Sequence, residues 1–199
     1  MEAAKRNNDR LLSISDGLFS VGMTLLVVSI SVPEVAGRGL EMELSQRLWS
    51  LFPRFEIFFI SFFVVCFYWL SHHELFHLVE GNNDCLIWLN LFFLMCITLL
   101  PFSAGLVGEY SDLKVAVDFY SATMVLTSLA LVFLWAYASK AGFVNTSVDD
   151  VEKRKILFKL LYPALIFLLS IGVSSFSVRL AKYFWLLIVA RGHLSDKLS

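Results

Sequence analysis

Two groups of residues carry types and spacings that could do chemistry. His73-Glu74-Leu75-Phe76-His77 matches HExxH letter for letter, the pattern in which two imidazoles one helical turn apart hold zinc and the glutamate serves as general base. It stands at or just beyond the end of an apolar run, in what reads as a short inner loop, and no distant third ligand is obvious. An integral-membrane zinc metalloprotease is therefore the enzyme alternative. The second group centres on Asp16, a carboxylate near the end of an apolar helix, which is costly there unless paired. Arg10 lies six residues earlier, off the three- or four-residue spacing of helical ion pairs, so a partner from another helix is expected. Trp69, His72, His73, His77 and Asn90 are the candidates, and an Arg–Asp–His–Trp–Asn cluster could satisfy all its members. In the plainer reading Trp69 belongs to an interfacial aromatic belt and the histidines to a solvated loop. GxSxG, P-loop and dinucleotide fingerprints are missing, so no catalytic or metal-ligating residue is assigned.

The elements that must position these residues follow from composition. Of 199 residues, 58% are hydrophobic and 17% charged, and the mean hydropathy is +0.73. A soluble domain has about 45–50% apolar and about 25% charged residues, so a soluble enzyme is excluded. A net charge of −1 offers no basic footprint for nucleic acid. Cys66, Cys85 and Cys96 are an odd set without CxxC spacing, which indicates packing residues rather than disulfides or a zinc site. A bilayer core about 30 Å thick needs about 20 helical residues. Five runs fit: Ile14 to Val32, Ile57 to Leu70 with a start near Leu51, Leu86 to Val107, Val115 to Ala138 and Ile156 to Ser175. Phe176 to Ala190 reads as a short sixth helix hairpinned onto the fifth. The expected fold is an all-α integral membrane protein with six transmembrane helices, one domain over residues 1–199.

With the N-terminus inside, the inner segments hold ten of the 16 Lys and Arg, which puts both termini in the cytoplasm of a multi-pass cell-membrane protein. Asn145 to Lys155 is then a cytoplasmic loop. A cleaved leader is not expected, because Asp16 interrupts the first run and Ser29-Ile30-Ser31-Val32-Pro33 lacks a small-x-small site.

The first run is the least suited to face lipid, with Ser13, Ser15, Asp16, Ser20, Thr24, Ser29 and Ser31 between Leu11 and Val32. Gly17, Val21, Thr24, Val28 and Ser31 share one helical face. Such a stripe suits either close helix packing, with hydroxyls bonded to their own backbone, or the wall of a narrow pore.

Arg10-Leu11-Leu12-Ser13-Ile14-Ser15-Asp16-Gly17 resembles the RxxxFSD signature of the endosomal and lysosomal potassium channel family known as transmembrane protein 175, with Ile14 in place of Phe. Val21 to Ile30, Trp69-Leu70-Ser71-His72, Leu89-Asn90-Leu91 and Leu99-Leu100-Pro101-Phe102 resemble its later landmarks in order. The resemblance implies a prokaryotic member with one six-helix repeat per subunit, a homotetramer whose first helices line a central pore without a TVGYG filter. It places an apolar constriction at Val21, with Leu25 and Val28 further along, and a hydroxyl layer linked to potassium preference at Thr24. Arg10, Ser15 and Asp16 would join Trp69, His72 and Asn90 in a structural polar network. Four Val21 side chains around an axis could resist wetting and four Thr24 hydroxyls could replace part of an ion's hydration. With no charged ring, the expected function is a passive cation channel of modest potassium-over-sodium selectivity, needing potassium ions, the bilayer and its own copies but no cofactor. A non-conducting membrane scaffold is the remaining alternative.

Overall fold

The computed structural model describes residues 2–35 and 40–188, with side chains from residue 8 onward. Eight helices are described: α1 (Glu2–Val28), α2 (Leu40–Ser50), α3 (Phe52–Leu78), α4 (Asp84–Thr98), α5 (Leu100–Glu109), α6 (Lys114–Lys140), α7 (Asp150–Ser174) and α8 (Val178–Phe184). Among the described residues the one strand-like feature is a single bridge between Val79 and Val144. Five stretches are long and apolar enough to cross a bilayer: Asn8–Val28, Phe52–Leu78, Asp84–Glu109, Lys114–Lys140 and Asp150–Ser174. These are the five expected runs with shifted ends.

The shifts have local causes. Helix α1 stops at Val28 rather than Val32, where the Ser29 hydroxyl bonds the Leu26 carbonyl and Pro33 disfavours helical backbone just before it. Ser31 therefore falls off the stripe. Helix α3 continues two turns past Leu70, because Leu75 and Phe76 carry on its buried face. His72, His73 and His77 thus stand on a helix, not in a loop. The third span is broken at Leu99, where Pro101 opens α5 and cannot donate a backbone hydrogen bond. Helix α7 begins at Asp150, with Asp149 as N-cap accepting from the Glu152 N–H at 2.7 Å, so part of the expected loop is its first turn. The hairpinned sixth helix starts at Val178, where the Ser177 side chain accepts from the Leu180 N–H. Val189 and Ala190, its expected end, lie outside the described residues.

Helix α2 has no counterpart in the expected spans. Its apolar residues alternate with Glu41, Glu43 and Arg47, and it buries none of them.

The core gathers around α6, which packs on α4, α5, α7 and α8. Tyr120 stacks on Trp185 with ring centroids 4.3 Å apart, and the Trp185 Nε1–H donates to Ser170 at 2.9 Å, which pins α8 back against α6 and α7. Helix α1 packs on α3, α4 and α5 and adds Leu11, Phe19 and Leu26 to the same core. At its end it crosses α5 closely: a Cβ at Gly105 would stand 3.2 Å from the Ser29 Cβ.

Candidate functional site

Helix α1 has two unlike faces. Leu11, Ser15, Phe19, Gly22 and Leu26 recur at offsets of three and four and are buried against the rest of the fold. The opposite face carries Gly17, Val21, Thr24, Leu25 and Val28, and it is bare: Val21 is 51% exposed and Val28 71%. Nothing lies within 4 Å of where a Cβ on Gly17 would stand. The hydroxyls on the exposed side turn inward to their own helix, Ser13 donating to Asp9 O and Ser20 to Asp16 O, both at 2.8 Å, and Thr24 to Val21 O at 2.9 Å. With the proton spent on a carbonyl, each oxygen still presents lone pairs outward.

Two hydrogen-bonded links hold α1 in this orientation. In the first, the Asn90 amide donates to Ser15 Oγ at 3.2 Å while its Oδ1 accepts from His72 Nε2 at 2.8 Å, joining α1, α4 and α3. The amide's direction makes Nε2 the protonated nitrogen of His72. All three side chains are fully buried, and His72 lies parallel to Phe93 at 5.4 Å with Phe19 and Phe76 against it. In the second, the Trp69 indole N–H donates to Asp16 Oδ1 at 2.8 Å. The expected five-member cluster is therefore two separate links, and Arg10 joins neither. Arg10 is exposed and makes no hydrogen bond or ion pair to a described residue. A further tie was not foreseen. The Asn8 amide donates to Val79 O at 2.9 Å and its Oδ1 accepts from Asn82, fixing the start of α1 to the end of α3. Asn8 lies seven residues before Ser15 on the same buried face, a signal hidden by starting the helix at Leu11.

Comparison with known proteins decides the family. A family model described as endosomal/lysosomal potassium channel TMEM175 matches residues 10–101. A potassium channel of Streptomyces collinus is 30% identical over 176 residues, covering 86% of this chain and 84% of the relative. The chain belongs to the TMEM175 family. The crystal structure of a lysosomal potassium-selective channel TMEM175 homolog from Chamaesiphon minutus superposes with a TM-score of 0.83 at 26% identity, covering 96% of this chain and 98% of that one. The endosomal/lysosomal proton channel TMEM175 of mouse is 25% identical over 201 residues, but this chain spans only 40% of its length. TMEM175 proteins are ion channels rather than enzymes, and the chain is a multi-pass membrane protein.

Family membership and geometry together overturn the zinc-protease reading of the HExxH pentapeptide. In this TMEM175 member Glu74, which would have to act as general base beside the metal, turns away to pair with Lys159 of α7 at 2.8 Å. Among the described residues no group of three or more His, Cys, Asp or Glu could hold an ion. The three cysteines, Cys66, Cys85 and Cys96, are free thiols.

Proposed function

We propose that this chain is the subunit of a homotetrameric, potassium-permeable cation channel of the cell membrane. In this reading residues 1–199 form one channel domain of six membrane helices, with α8 opening the sixth and both termini cytoplasmic. The observation that carries it is the bare stripe of α1. A helix whose buried face is fully engaged, and whose other face carries Gly17, Val21, Thr24, Leu25 and Val28 exposed among the described residues, has a surface left for its own copies around an axis. The relatives named as potassium channels support the same direction.

The stripe's chemistry fits weakly selective, passive conduction. Four Val21 side chains form an apolar ring that resists wetting, with Leu25 and Val28 extending the apolar wall. Four Thr24 hydroxyls, each bonded inward to a Val21 carbonyl, offer oxygen lone pairs where a cation has shed part of its hydration. No acidic residue lies on the stripe between Gly17 and Val28, so the ion meets neutral oxygens alone, and the discrimination of potassium from sodium is modest. Ser15, Asp16, Trp69, His72 and Asn90 act as a frame that sets the rotation of α1. Arg10, without a partner among the described residues, would pair with a neighbouring subunit.

Purified protein reconstituted into planar bilayers under a potassium–sodium gradient should show a reversal potential shifted toward that of potassium. Val21→Ala should raise the single-channel conductance. A stable tetramer that carries no cation current would overturn the reading and leave a scaffold. An unchanged conductance in Val21→Ala would move the constriction elsewhere.

A further inference from the structure

The last turns of α3 carry a feature that conduction does not use. His73 and His77, four residues apart, hold their Nε2 atoms 2.9 Å from each other with their rings at 87°. Two imidazole nitrogens bonded to one ion at about 2.0–2.1 Å stand about 2.9 Å apart at a right angle and about 3.3 Å apart at a tetrahedral angle. The two rings share a hydrogen bond through these nitrogens, and an ion replacing its proton would meet them at a spacing close to that of two ligands on one metal. His73 Nδ1 is buried, which leaves Nε2 as the nitrogen its ring can offer, and His77 is exposed, which gives an ion a way in.

We propose that His73 and His77 bind one divalent transition-metal ion, copper, nickel or zinc, with water in the remaining positions, and that the bound ion lowers conduction through Trp69. Imidazole suits these metals, and the expected order of affinity places copper first. Glu74 is held by Lys159 and supplies no carboxylate, so the site is open and reversible rather than catalytic. The His73 ring lies 5.7 Å from the ring of Trp69, whose indole holds Asp16 of α1. An ion that locks His73 thereby fixes one of the two links that set the angle of the stripe. The coupling clause rests on the channel reading; the binding clause does not.

The test uses the untagged full chain, titrated calorimetrically with copper, nickel and zinc salts, alongside potassium flux from vesicles with and without each metal. One ion per chain is expected. His73→Ala and His77→Ala should each weaken binding at least about tenfold, the lower end of the loss seen even for residues that merely support a ligand. His193, the chain's fourth histidine, lies outside the described residues, and His193→Ala serves as the control whose binding should match wild type. Metal should reduce flux through the wild-type chain and not through His77→Ala, whose exposed position spares the fold. Binding by His77→Ala equal to wild type overturns the site. Binding lost in both variants but flux indifferent to metal overturns the coupling. Vesicles with no flux under any condition overturn the channel reading, while calorimetry still decides the site.

Discussion

Helices α1 and α6 are equally long, 27 residues each, and both are rich in hydroxyls, yet the fold uses them in opposite ways. In α6, Thr123, Thr127 and Ser128 bond carbonyls of their own helix, Tyr120 and Ser128 meet Ser61 and Tyr68 of α3, and Ser121 donates to Ser170 of α7. Every one of these groups is buried, and 61% of the apolar window of α6 is enclosed against 28% in α1. In α1, Ser13, Ser20 and Thr24 make the same bonds to their own backbone at the same distances, but among the described residues they stay exposed. A hydroxyl on a membrane helix is thus not in itself a mark of an ion path. What separates the two helices is whether the fold has enclosed the hydroxyl.

The comparison is tested first where it should give the largest effect, in the core around α6. Trp185 is fully buried, stacked on Tyr120 and bonded to Ser170, so Trp185→Ala should cost about 3–5 kcal/mol and lower the thermal transition of the detergent-solubilised protein by many degrees. A mild shift would show that α8 does not close the core. Next comes the buried face of α1. Asn90→Ala strands the His72 N–H and removes the donor to Ser15, which should cost about 1–3 kcal/mol and, by loosening the rotation of α1, change conductance in the molecules that remain folded. Full stability with unchanged conductance would show that the link neither supports nor orients the helix.

A smaller effect separates acceptor from charge at Asp16. Asp16→Asn keeps an oxygen for the Trp69 indole, and Asp16→Ala does not, so a role confined to that bond predicts a loss of about 1 kcal/mol in the alanine variant alone. If both variants fall apart on native gels, the negative charge is needed, and Arg10 of an adjoining subunit is its partner. If neither does, Asp16 has no part in assembly.

How far the sequence could be read follows the same division. Five spans were legible because hydropathy integrates over about 20 residues and tolerates errors at the ends. The short helix α2 was not, since Leu40, Met42, Leu44 and Leu48 are interrupted by glutamates and bury nothing. Trp69, His72 and Asn90 were legible as candidate partners because costly polar groups in an apolar helix must find partners and few were available, but which of them pairs with which was not: Asp16 was offered to all of them, and His72 bonds Asn90 instead. The exclusion of Arg10 could not be foreseen, because a long charged side chain reaches many places and spacing alone does not choose among them. The hydroxyls of α6 were passed over for the converse reason. They sit among so many apolar residues that hydropathy hides them, and nothing in the pattern says that Tyr120 and Ser128 face α3.

The smallest change in stability should give the sharpest answer about the two helices. Valine has nearly the shape of threonine, and both Thr24 and Thr127 bond only a carbonyl of the preceding turn, at 2.9 and 2.8 Å. Removing either hydroxyl leaves that carbonyl with its helical partner, so Thr24→Val and Thr127→Val should each move the thermal transition by less than about 0.5 kcal/mol in free energy at the exposed site and little more at the buried one. Their effect on ions should differ completely. Thr127 is enclosed and its loss should leave the potassium–sodium reversal potential where it was. Thr24 presents its oxygen on the exposed stripe, and its loss should bring that potential toward the nonselective value while current persists. Equal effects from the two substitutions would mean that selectivity lies on neither helix, and that the exposed stripe of α1 serves only to pack subunits together.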